Sequence, residues 1–139
     1  MRRMAAIFGV LVLTACSNEL KGDIQVTYKG QSWTVTPDEC VSGQRQGFFG
    51  VDARQSGKDD ALVRVLNDPR TNFTLRLNVP GTGESILVEP GEGCQPFDLT
   101  VDRQNSSVNN VTNVQGHIRV TCDRPDLKIK ADITFANCH

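Results

Sequence analysis

Five cysteines, two histidines and a few paired acids are the side chains of this 139-residue chain best suited to chemistry. Their spacing decides which chemistry is open to them. Cys40, Cys94, Cys122 and Cys138 form an even set. No two of them lie at the short C-x₂₋₄-C gap that a zinc site requires, so two disulfides are the expected state in an exported chain. His117 and His139 have no partner at a spacing that would make either a general base or a metal ligand, and both read as surface side chains. Asp59 with Asp60, and Asp98 with Asp102, lack the rhythm of a calcium loop. No serine sits in G-x-S-x-G or S-x-x-K, and Gly81-Thr82-Gly83 and Gly91-Glu92-Gly93 are followed by neither Lys-Ser/Thr nor a helix. Trp33, Phe48 and Phe49 read as core or edge residues rather than as a sugar-stacking platform. These residues predict no enzyme, no metal and no cofactor.

The fifth cysteine stands apart. Arg2 and Arg3 precede an apolar run from Met4 to Ala15, which ends in Leu13-Thr14-Ala15-Cys16. A permanent membrane span needs about 20 apolar residues, so this run is too short to be one, but it suits the core of a cleaved signal peptide. The tetrad resembles the lipobox of bacterial lipoprotein precursors. That resemblance implies cleavage before Cys16, a diacylglycerol on its thiol and acylation of the new amine. Several acyl chains together hold a domain stably to a membrane. Residues 1–15 are then a signal peptide, 16–22 a lipidated tether spanning at most about 20 Å, and 23–139 the folded domain. Ser17 stands where aspartate would favour inner-membrane retention, so the implied place is the cell envelope, at the outer membrane in a diderm host.

Loss of residues 1–15 leaves 124 residues, enough for one domain with a hydrophobic core, and takes Arg2 and Arg3 with it, moving the formal charge from −1 to −3. A mildly acidic surface with interspersed charges excludes a dedicated nucleic-acid face. From Asp23 onward, short alternating runs separated by Gly, Pro, Asn and Asp predict antiparallel strands. Ile24, Val26 and Tyr28 alternate up to Lys29-Gly30, and Trp33 and Val35 resume the alternation beyond it, which makes a hairpin. Further strands are expected at 48–53, 61–67, 73–79, 85–89, 97–102, 114–121 and 128–136, with 105–110 as a polar loop. One-sided apolar ladders such as Phe73, Leu75, Leu77 and Val79 imply an all-β antiparallel sandwich, with a small closed barrel as the alternative.

Strand geometry then sorts the cysteines. A hairpin of 97–102 with 114–121 brings Cys94 and Cys122 to one open end. A hairpin turning at Asp123–Leu127 would set Cys122 and Cys138 about 30 Å apart, far beyond the roughly 7 Å a disulfide tolerates between Cα atoms. Cys40 is left for Cys138. Ile24 to Gly30, then Val35 and Cys40, with the terminal strand Ile133 to Cys138, resembles the small lipoprotein antigens of mycobacteria, and that resemblance implies the same pairing of first and last cysteines. The stretch from Gly116 to Cys122 and the ending Phe135 to His139 is similar to uncharacterised small lipoproteins of myxobacteria. Neither family supplies a catalytic site. The expected function is that of a membrane-anchored envelope lipoprotein with a structural or protein-interaction role, its partners being the membrane and envelope proteins; binding of a small apolar or lipid ligand is the alternative.

Overall fold

The computed structural model describes residues 18–70 and 72–139. Cys16 and the signal-peptide segment lie outside the described residues. Ten strands follow one another: β1 (Glu19–Tyr28), β2 (Gln31–Val35), β3 (Glu39–Ser42), β4 (Gly50–Arg54), β5 (Leu62–Asp68), β6 (Asn72–Asn78), β7 (Ser85–Val88), β8 (Cys94–Val108), β9 (Val111–Asp123) and β10 (Leu127–Cys138), with a 3₁₀ turn at Gly43–Gln46. They form two five-stranded antiparallel sheets, ordered β2-β1-β10-β9-β8 and β3-β4-β5-β6-β7. Each sheet keeps two free edges, so the fold is a sandwich and not a closed barrel.

The ladders read from the sequence face the core. Ile24, Ile118, Val120, Ile129 and Ile133 of the first sheet meet Val51, Val63, Val65, Leu75, Leu77 and Val88 of the second, every one buried. Burial of each such side chain stabilises by about 1.5–3 kcal/mol, which makes this interior the main source of stability. Lys29 and Gly30 both take positive φ, the two-residue turn whose twist suits a hairpin.

Three expectations need correction. The domain begins at Glu19 rather than Asp23, because Glu19 to Gly22 pair with Ala136 to Ile133. Gly22 is not the end of a tether but the site of a close approach, where a Cβ would collide with the Asp132 carbonyl. Residues 105–108 are strand, not loop; only Asn109 and Asn110 turn, both at positive φ, which asparagine tolerates. The strand expected at 48–53 starts at Gly50, because the 3₁₀ turn and Phe48-Phe49 occupy the approach, and β3 carries too short an apolar ladder to be read.

Both disulfides form as expected, Cys40–Cys138 and Cys94–Cys122. Strict alternation would point Cys138 outward, since Phe135 faces the core. A bulge between Phe135 and Cys138, with Asn137 at φ 56°, shifts the phase by one residue and buries Cys138. Gln104 holds this bulge, accepting from the Asn137 N–H at 2.8 Å and donating to its side chain at 3.1 Å. A second irregularity, between Cys94 and Phe97, likewise lets Cys94 stand opposite Cys122.

Cys40–Cys138 spans 98 residues and Cys94–Cys122 spans 28. In the chain-entropy account the longer loop contributes about 1 kcal/mol more. The Cys40→Ala/Cys138→Ala chain should therefore unfold at lower denaturant than the Cys94→Ala/Cys122→Ala chain, by about that amount in free energy; equal stabilities in urea titration would refute it.

Candidate functional site

The free edge of β2 runs beside two open concavities and is the candidate site. In a two-residue hairpin the flanking pair, here Tyr28 and Gln31, exchanges hydrogen bonds, and bonded pairs then recur at Val26–Trp33 and Ile24–Val35. The N–H and C=O groups of Ser32 and Thr34 therefore point away from β1, out of the sheet. Thr36 continues that phase, and its N–H finds the Gln55 side-chain oxygen at 3.1 Å.

Trp33 is half-buried on the inward phase at this edge, between two open concavities. One, of about 450 Å³, lies on the outer face of the first sheet among Gln25, Thr27, Ser32, Lys128 and Lys130. The other, of about 500 Å³, lies between β2 and the loop before β5 and is lined by Val35, Lys58, Asp59, Asp60, Ala61 and Pro80. Its walls are tied in place. Gln31 donates to the Pro80 carbonyl at 3.1 Å, Asp60 accepts from the Gly81 N–H at 3.1 Å, and Asp38 accepts from the Ser56 N–H and hydroxyl at 2.8 and 2.9 Å. Those two bonds lower the Asp38 pKa below the usual carboxylate value. Asp59 and Asp60 thus belong to a groove wall.

His117 corrects an expectation. The sequence offers it no partner, yet the register sets it opposite Thr100 and diagonal to Asp98. Thr100 Oγ1 accepts the His117 N–H at 3.1 Å and lies 3.2 Å from Nδ1, while Asp98 Oδ2 comes within 2.8 Å of Nε2. That last contact is close but lacks the alignment of a hydrogen bond. Hydroxyl, imidazole and carboxylate stand in the order of a nucleophilic relay, but a relay needs an enclosed substrate site beside the hydroxyl. Asp98 is half exposed on an open sheet face, and the concavities at Trp33 lie elsewhere. His139 rests its Nδ1 3.1 Å from the Asn137 carbonyl oxygen. Asp102 pairs across the ladder with Gln115, away from the other acids singled out. Among the described residues no three His, Cys, Asp or Glu side chains converge as metal ligands would.

Sequence reasoning missed a buried ion pair. Asp52 is on the outward phase of β4 yet only 1% exposed. Arg64 of β5 grips it with two bonds, Nε to Oδ1 at 2.6 Å and Nη2 to Oδ2 at 2.8 Å. Gln46 completes the cluster, accepting from Arg64 at 2.7 Å, and the guanidinium lies 4.7 Å from the centre of the Phe48 ring. The bonds to Asp52 raise the Arg64 pKa further above its ordinary value, against the opposing effect of burial. The available signal was Val51-Asp52-Ala53 beside Val63-Arg64-Val65, where opposite charges interrupt two adjacent apolar runs at the same phase. Phe48 and Phe49 belong to this end of the molecule, with the Phe49 ring tilted against Phe73 at 5.9 Å between centroids and covered by Arg103 at 4.2 Å.

No family model, curated protein or solved structure matches this chain.

Arg64→Met should cost about 3 kcal/mol or more, because it leaves the Asp52 carboxylate buried without its charge partner. Arg54→Met should cost under about 1 kcal/mol, since Arg54 is 43% exposed and touches Asp52 only at 3.5 Å. Urea midpoints of the two variants decide this, and similar values would show that Asp52 does not depend on Arg64.

Proposed function

We propose that this chain is a lipid-anchored protein of the bacterial cell envelope, of the outer membrane where the host has one, and that its sandwich serves a structural or protein-binding role rather than catalysis. The observation that carries the reading is the bare β2 edge beside Trp33. Trp33 pairs with Val26, seven residues along β1 from Glu19, so it stands about 23 Å from the end of the sandwich at which the chain arrives from Cys16. An anchor at one end and an open strand edge well above it suit a domain that holds an extended segment of another envelope protein by strand addition. Main-chain bonds to Ser32 and Thr34 would supply affinity, and the Trp33 groove would supply selectivity. The alternative of a small apolar ligand would need inward positions left small, and these are occupied by Ile24, Leu75, Leu77, Ile118 and Ile133.

Cys16→Ser removes the acceptor thiol, so the variant should leave the detergent phase on partitioning and remain soluble or uncleaved. A variant that is cleaved and still partitions with membranes would sink the anchor. For the edge, a photoreactive residue at Ser32 should capture an envelope protein in intact cells. Thr34→Pro should abolish that capture at a cost below about 1 kcal/mol, because it removes an outward N–H and no bond within the sheet. Capture that persists in Thr34→Pro, or that is equal from a photoreactive residue at Thr100 of β8, would dismiss strand addition at β2.

A further inference from the structure

The end of the sandwich at which β1 begins carries two arginines, Arg45 and Arg103, that form no ion pair among the described residues. Asn18 donates to the Cys40 carbonyl at 3.0 Å, and β1 is locked into the sheet from Glu19. Only Ser17 then separates Cys16 from the fixed chain, a reach of about 7 Å. Two residues beyond Cys40, Ser42 opens a concavity of about 350 Å³, lined also by Gln44, Phe48, Phe49, Arg103 and Thr112. At about 3.3 Å per strand residue it lies some 10 Å from Asn18. Hydrogen bonds from Gln44 to the Asn110 carbonyl and from the Thr112 N–H to Gln44, at 3.2 and 3.0 Å, join the 3₁₀ turn to the β8–β9 hairpin tip around it.

Arg103 is the anomaly of this end. It stands opposite Val114 and continues the inward ladder Leu99, Val101, so a cation occupies the position where the core stops. It lies over Phe49, and neither it nor Arg45 of the 3₁₀ turn has a carboxylate within ion-pair distance among the described residues. Arg70 nearby is already engaged by Asp68 and Glu89, and Glu19 shares a separate surface concavity with Lys21.

We propose that the Arg103–Phe49 concavity seats the phosphate of an anionic lipid headgroup, so that the sandwich stands on the membrane by this end; the proposal rests on the lipid anchor at Cys16. Arg103 supplies charge in the concavity and Arg45 adds charge from the 3₁₀ turn at its margin, Ser42 and Thr112 bring hydroxyls, and Phe48 and Phe49 contribute to its wall. The headgroup layer is only about 5–7 Å deep, which matches the reach of Ser17 and leaves this end at phosphate level. Tethering supplies the headgroup at high effective concentration, so a site of few charges can be filled.

The test places the lipidated protein on vesicles of phosphatidylcholine, alone or with phosphatidylglycerol, and follows amide hydrogen exchange. Residues 43–49 and 105–112 should exchange about five-fold more slowly on the anionic vesicles, the worth of one arginine at a charged surface, while residues 55–61 do not change. Added salt and Arg103→Gln should each remove the difference, and Arg45→Gln should reduce it. Equal exchange on the two vesicles by a protein that floats with both overturns the docking alone. Protection that survives Arg103→Gln and Arg45→Gln also overturns it. So does protection by inorganic phosphate on neutral vesicles, which would assign the concavity to a free anion. A protein that floats with neither vesicle overturns the anchor and the docking together.

Discussion

Cys138 meets Cys40 because β10 slips by one residue at Asn137, and that slip lets a covalent bond tie the two sheets together. The other disulfide joins neighbouring strands of one sheet, whereas this one joins the last strand of the first sheet to the first strand of the second. Besides it the sheets are held face to face by apolar contact, which is strong but non-directional, and by hydrogen bonds at their ends such as Gln31 to Pro80 and Gln44 to Asn110. With it, the ends of β3 and β10 share one corner, and Asn18 closes the same corner by donating to the Cys40 carbonyl. The cost is an asparagine at positive φ, and Gln104 offsets it by bonding that residue through both its amide groups.

That corner gives the molecule a polarity. The point where the chain enters, the 3₁₀ turn, the β8–β9 tip and the Phe49–Phe73 contact all gather at one end. The β1–β2 turn, the loop before β5 and the Pro80 turn gather at the other, linked by Gln31 to Pro80 and Asp60 to Gly81. On the proposed anchoring, the first group meets headgroups and the second faces outward. If Cys16 carries the proposed lipid, this polarity is consequential, because one residue between the anchor and Asn18 would be too short a link for the domain to turn over.

The fold was legible where one face of a strand is apolar throughout. Phe73 to Val79 and Ile129 to Phe135 announce both their strand character and their inward phase, and the hairpin logic built on 97–102, 114–121 and 128–136 paired all four cysteines correctly. Legibility failed where a strand's partner, rather than its own pattern, makes it a strand. Glu19 to Gly22 and Asn105 to Val108 are polar stretches that extend β1 and β8 because β10 and β9 are long enough to pair with them. His117 was misread for the same reason, since its neighbours Thr100 and Asp98 belong to another strand and register is a property of the pair. The pairing of Asp52 with Arg64 left a trace in two interrupted apolar runs, but the burial of Asp52 did not, because it depends on Phe48 and Gln46 folding back over the pair, a conformation with no period of its own.

Edges show where the fold spends its protection. β8 has Pro96, which has no N–H to offer, as its third residue, and carries two irregularities with Asp98, Asp102 and Arg103 along it. The β3 edge has its Cys40 carbonyl taken by Asn18. β7 has four residues bracketed by Glu84 and Glu89 and followed by Pro90. β2 has none of these devices: Gln31, Ser32, Trp33, Thr34 and Val35 are uncharged, without proline, and open beside the largest apolar side chain of the protein. An edge left bare in a chain that guards the others is costly in aggregation risk. Selection has reason to keep it only where something covers that edge in use, and this is the physical argument for looking at β2 first.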